Sequence, residues 1–168
     1  ISVTTLEAGL ARAMEPRVPA PTRRLKTIER LTVAGIPVRL MASPIVPGLT
    51  DHEIERIVKA GADAGATGAS MITLRLPLEV APLFQAWLEE HVPLRAARVM
   101  ARVREIHGGE DYGAAWGTRL TGSGIYAELL QQRFARAIRA AGLSRTMPAL
   151  RTDLFRVPPR PGDQLSLF

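Results

Sequence analysis

The chain contains no cysteine. That excludes disulfides, zinc–thiolate sites and any thiolate-held iron–sulfur cluster within these residues. A cytoplasmic protein is the simple expectation for a chain without disulfides. Aromatic residues make up only 5% of the sequence, so Leu, Ile, Val, Ala and Met must fill the core. Lysine is confined to Lys26 and Lys59, and every other basic residue is Arg. No apolar run approaches the roughly 18 residues of a membrane-spanning helix, so no membrane partner is expected. No signal peptide is visible, because Arg12 and Glu15 precede any apolar stretch long enough to be one. There is no G-x-S-x-G, no phosphate-binding P-loop and no G-x-G-x-x-G. His52, His91 and His107 have no second histidine at ligand spacing, and a surface or capping role is expected for each.

What is present indicates a globular chain. It has 168 residues, 46% hydrophobic and 23% charged. The net charge of +6 is unevenly spread. Residues 1–94 carry 10 basic and 10 acidic side chains, whereas residues 95–168 carry 12 arginines and 6 acids. Arginine's planar fork suits phosphate oxygens, which fits a nucleic-acid surface. A GC-rich genome also raises arginine with no function attached, and composition leaves both readings open.

Two periodicities alternate over residues 1–77. Ile1–Thr5 is short and β-prone. Leu6, Leu10, Ala13 and Met14 follow at helical spacing, and a proline-rich turn runs from Glu15 to Pro21. Leu25, Ile28 and Leu31 mark a second helix closed by Gly35. Val38–Ser43 reads as a strand, Thr50–Gly61 as a helix and Ser70–Leu74 as a third strand. Val3, Leu40 and Ile72 lie about 32 to 37 residues apart, the scale of a βα unit with parallel strands. The expected fold class is therefore α/β, a parallel sheet or barrel. Thr4–Glu7 and Thr50–Glu53 both read T-x-x-E, the spelling of a helix capping box. Each would place free helix amides at the carboxyl end of the sheet, where α/β proteins bind ligands. Three strands cannot close a barrel, and an uncovered parallel edge at Ile1–Thr5 is unusual. A missing preceding portion is the expectation.

Residues 78–143 read as helical. Val80, Leu83, Phe84, Trp87 and Leu88 form one stripe, and Val99, Met100, Val103 and Ile106 another. After a glycine-rich connection, Gly108–Gly124, come Tyr126, Leu129, Leu130, Phe134 and Ile138, ended by Gly142. Residues 144–168 read as an extended tail, stiffened by Pro158-Pro159-Arg160-Pro161. Glu15-Pro16-Arg17 stands out as polar side chains in a turn too rigid for a plain linker. Its bland reading is an exposed salt bridge.

An ordered series of segments runs Ser2-Val3-Thr4-Thr5-Leu6, Met14-Glu15-Pro16-Arg17, Arg24-Leu25 and Ala34-Gly35-Ile36-Pro37-Val38. It continues with Pro44-Ile45-Val46-Pro47-Gly48-Leu49-Thr50-Asp51, then Leu74-Arg75-Leu76-Pro77-Leu78-Glu79-Val80, and Gly108-Gly109 through Gly117-Thr118-Arg119. In that order the series resembles radical S-adenosylmethionine proteins, in particular the bacterial subfamily related to spore photoproduct lyase and labelled DNA repair photolyase-like. The resemblance covers nearly the whole chain. It implies the later half of a partial (βα)6 barrel with a helical C-terminal extension. It also implies a [4Fe–4S] cluster on a C-x3-C-x2-C loop near the first strand, which reduces S-adenosylmethionine to a 5′-deoxyadenosyl radical. The chain departs from that pattern in having no cysteine, so the activity would belong to a longer parent.

The same resemblance points to Ser2, Thr4 and Arg17 as contacts of the methionine and ribose parts of S-adenosylmethionine, with Pro47 and Gly48 near the adenosine. Arg75 and Arg119 would face substrate. A separate resemblance lies in Gln164-Leu165-Ser166-Leu167-Phe168, which is similar to the pentapeptide that docks bacterial repair proteins on the DNA polymerase sliding clamp. Leu167 and Phe168 would be the apolar anchors. Together these favour a nucleic-acid-directed enzyme, on DNA or RNA, with DNA repair as the analogy. The alternative is a non-catalytic clamp-binding or DNA-binding accessory module. An aldolase-type barrel is weakened because Lys26 and Lys59 both fall on helices rather than strands.

Overall fold

A computed structural model describes residues 1–149, 151–158, 160 and 162. Two parallel strands, β1 (Arg39–Ile45) and β2 (Gly68–Thr73), pair Leu40 with Ala69 and Met41 with Ser70. The expected first strand is reduced to one parallel bridge, Ser2 with Met41. Val3 N donates to Met41 O at 2.8 Å and Met41 N to Ile1 O at 2.9 Å. Beyond that bridge the backbone leaves the ladder, with Leu6 N donating to Glu53 Oε2 and Glu7 N to Thr5 Oγ1 rather than to strand carbonyls. At the other edge Ser144 bridges Gly68, again in parallel, and Ala69 N donates to Ser144 O at 3.0 Å. The extended tail read from Ser144 onward therefore begins on the sheet. Gly68 lets it approach: a Cβ there would lie 2.9 Å from Met147 Sδ and 3.0 Å from Ser144 O.

Six α-helices accompany this sheet among the described residues: α1 (Ala8–Met14), α2 (Pro21–Val33), α3 (Ile54–Asp63), α4 (Val80–His91), α5 (Pro93–Ile106) and α6 (Gly124–Ala140). The mixed α/β class expected from the alternating periods holds. Pro21 and Pro93 open their helices at the position where the missing N–H costs nothing. Gly35 closes α2 with φ 77°, which frees Ile36 N to reach Leu31 O at 3.0 Å.

One core packs α2, α3 and α6 on a single face of the sheet through Val3, Leu40, Ala42, Ala69, Met71, Ile57, Leu130 and Phe134. A second gathers Val46, Leu49, Leu74 and Leu76 under α4 and α5, with Leu88, Val99 and Val103. The opposite face of the sheet differs. Ser2 is exposed, and Arg39, Met41, Ser43, Ser70 and Ile72 are only half-buried. Parallel sheets ordinarily have both faces covered, so this alternation is a property of the segment.

Neither T-x-x-E forms a capping box. Thr4 donates to Glu15 Oε2 at 3.4 Å and Ser43 O at 3.3 Å, and it is Thr5 that accepts from Glu7 N at 3.1 Å. Thr50 Oγ1 accepts from Val46 N at 2.9 Å and closes the turn before it. The segment Thr50–Gly61 opens with a turn of 3-10 helix, Asp51–Glu53, before α3. Glu53 is fully buried and bonds to a different segment. The turn amide and the buried carboxylate each needed a partner, and those demands outweigh local capping.

Candidate functional site at the carboxyl ends of the strands

Three side-chain constructions sit where the strands end. The first is built around Arg24, delivered by α2 and buried although charged. Its Nη2 donates to Glu15 Oε2 at 2.6 Å, its Nε to Pro19 O at 2.9 Å and its Nη1 to Ser2 O at 3.1 Å. Arg24 thereby fixes the whole Glu15–Pro19 turn against the first extended segment. A buried guanidinium needs such partners at every nitrogen. The polar turn is thus held by Glu15 with Arg24, and Arg17 is exposed with no ion pair among the described residues. No sequence period links positions 15 and 24, so the pair carried no readable signal. The hydroxyls of Ser2 and Ser43 have no hydrogen-bond partner among the described residues and belong to the uncovered face.

The second construction ties the loop after the first segment to the turn after β1. Thr5 Oγ1 and Leu6 N (3.2 Å) both donate to Glu53 Oε2. Beside it, Asp51 is buried and accepts from Gly48 N at 2.9 Å and from the Tyr126 hydroxyl on α6. Burial, reinforced by that bond to Asp51, pushes the Tyr126 phenol up to about 12. Arg102 covers the Tyr126 ring at 4.4 Å from its centroid. Pro47 is buried and Gly48 lies against α5, where a Cβ would be 3.7 Å from Val99 Cα. The Gly48 amide is committed to Asp51, so these two residues offer backbone shape rather than a free donor.

The third construction lies beyond β2. Arg75 Nη2 donates to Tyr112 Oη at 3.0 Å, while its buried Nε has no hydrogen-bond partner among the described residues. His107 is buried, not on the surface as its isolation suggested. Its Nε2 lies 3.1 Å from Leu74 O, and because a carbonyl only accepts, that nitrogen carries the proton. The glycine-rich connection crosses the strand end, with Thr73 N and Oγ1 donating to Leu120 O at 3.0 and 3.1 Å. It presents Trp116, 85% exposed, with the Arg119 guanidinium stacked 4.0 Å from its ring centroid. Arg75 and Arg119 are therefore on neighbouring but separate contacts. Gln164, Leu165, Ser166, Leu167 and Phe168 lie outside the described residues.

Among the described residues no helix is long and apolar enough to cross a membrane. No family model matches the chain, and no solved structure matches it. It is similar to uncharacterized proteins of Mycobacterium tuberculosis and Mycobacterium bovis, each 30% identical over 153 residues that cover 88% of this chain. The chain spans 41% of the length of those relatives.

Proposed function

We propose that this chain is the later part of a parallel α/β barrel in a radical S-adenosylmethionine enzyme, with nucleic acid as its substrate class. The observation that carries the reading is the two-sided sheet: one face is sealed by helices, and the other is only partly covered and mixed in character, with Ser2, Ser43 and Ser70 beside Met41 and Ile72, as the inner face of an open barrel segment would be. Parallel segments succeeding one another in chain order support it, as does a carboxyl-end rim rich in polar groups.

The residues divide cleanly in what they fit. With no cysteine, none of them can hold an iron–sulfur cluster. The thiolates of such a cluster would lie in another stretch of a longer protein, and no reaction step is assigned to this chain. The polar half of S-adenosylmethionine fits better. Ser2 and Ser43 offer uncommitted hydroxyls for a ribose, and Glu15, clamped by Arg24 and Thr4, keeps an oxygen for an ammonium. The test is to purify anaerobically the longest protein encoded in frame with this segment and reduce it with dithionite. Release of 5′-deoxyadenosine from S-adenosylmethionine is expected, and its absence from a protein with a full cluster complement overturns the reading.

The sequence Gln164–Phe168 favours a second reading, a clamp-binding module. Deleting those five residues should abolish capture by purified sliding clamp. Unchanged capture removes this reading.

A further inference from the structure

We infer that Glu7, His52 and Glu53 form a binding site for a divalent transition-metal ion, independent of any iron–sulfur cluster. One ligand atom from each lies within 4.8 Å of the other two, and His52 Nε2 is 3.9 Å from Glu7 Oε1. Metal–ligand bonds of about 2.0–2.1 Å in a tetrahedron set ligand atoms roughly 3.3 Å apart. Glu7 and His52 are both exposed side chains, so closing by that amount needs rotamer adjustment only.

Glu53 is the buried member of the three. Glu53 is 0% exposed, and Thr5 and Leu6 fully account for its Oε2. Its Oε1 is buried and has no hydrogen-bond partner among the described residues. The nearest cation is Arg56 Nη1 at 3.5 Å, on a side chain 64% exposed to water. A buried carboxylate oxygen left without a hydrogen bond is costly, and a metal ion satisfies it directly. The loop-linking role of Glu53 accounts for Oε2 and leaves Oε1 with only the 3.5 Å ion pair to Arg56. Thr5 and Leu6 N would also do what outer partners of a metal carboxylate do, which is fix its orientation.

The donor set selects the ion. One imidazole and two carboxylates suit Zn²⁺ or a similar first-row ion better than Mg²⁺ or Ca²⁺, which prefer all-oxygen shells. Two carboxylates also neutralise the ion's charge. Three protein ligands leave one position open to solvent.

The test uses the untagged chain and Zn²⁺ in competition with a chromophoric chelator. One ion per chain is expected, with affinity reduced about tenfold or more by His52→Ala and by Glu7→Gln, at least the loss seen when an outer partner of a metal ligand is removed. His91→Ala, at the end of α4, should leave binding unchanged. Co²⁺ should give visible bands of four-coordinate intensity that His52→Ala removes. Glu53 is left intact because it also links two loops. No binding by the wild type overturns the inference. So does binding that both substitutions leave intact, or binding lost in His91→Ala.

Discussion

At the scale of single residues, the contact with the clearest solution signature is Tyr126 with Asp51. The phenol is held neutral by burial first and by its hydrogen bond to Asp51 second, and it titrates at about 12 instead of 10. A folded pKa above the unfolded one stabilises the protein at every pH below the unfolded value. That contribution is lost as pH rises from about 10 through about 12. Stability measured by urea titration should therefore fall across that window. Tyr126→Phe should be less stable at neutral pH by about 1–2 kcal/mol, since Asp51 loses a partner, and should lack the alkaline decline. Tyrosinate absorbance gives the same result directly, because Tyr112 is the only other tyrosine. An alkaline transition of equal size in the variant would show that another group controls it.

At the scale of elements, close approach decides what a sequence change does. Gly61 in α3 faces β1, and a Cβ there would lie 2.6 Å from Leu40 Cδ2 and 3.1 Å from its Cγ. Alanine gains about 1 kcal/mol of helix propensity over glycine. Forcing a methyl against a fully buried Leu40 costs about 1–3 kcal/mol, so overpacking wins. Gly61→Ala should lower the denaturation midpoint without changing the slope. Gly9→Ala in α1, with nothing within 4 Å, should be neutral or slightly stabilising.

The elements were also the most legible level. Period 3.6 placed α2, α4, α5 and α6, and short β-prone runs placed β1 and β2, because burial of one face imposes those spacings. Side-chain pairing was illegible. T-x-x-E is spelled the same whether its glutamate caps locally or crosses to Thr5, and only the folded geometry distinguishes the two. The burial of His107 escaped for a similar reason, since its partner is the Leu74 carbonyl, which every residue possesses. Sequence reading singled out Ser2, Thr4, Arg17, Pro47, Gly48, Arg75 and Arg119 and noted Glu15 only as part of a polar turn, while Arg24, Asp51 and Glu53, whose buried contacts link the loops at the strand ends, were not singled out as site residues.

For the whole molecule, charge and topology tell separate stories. Several of the arginines beyond residue 95 are paired: Arg102 binds Glu105 and Arg104 binds Asp111 within that stretch, and Arg133 binds Glu55 outside it. The count alone therefore overstates the free positive surface. Topology is more informative. Residue 2 pairs with 41, 39 with 68, and 68 with 144, each in parallel. The sheet thus grows outward in the order of synthesis, and each early pairing waits only for the next βα unit to emerge. The last pairing differs, since Ser144 reaches Gly68 only after α4, α5, the glycine-rich connection and α6 have been made. A ribosome releasing this chain would finish two of its three pairings long before the final one, and the Gly68 edge stays bare until α6 docks.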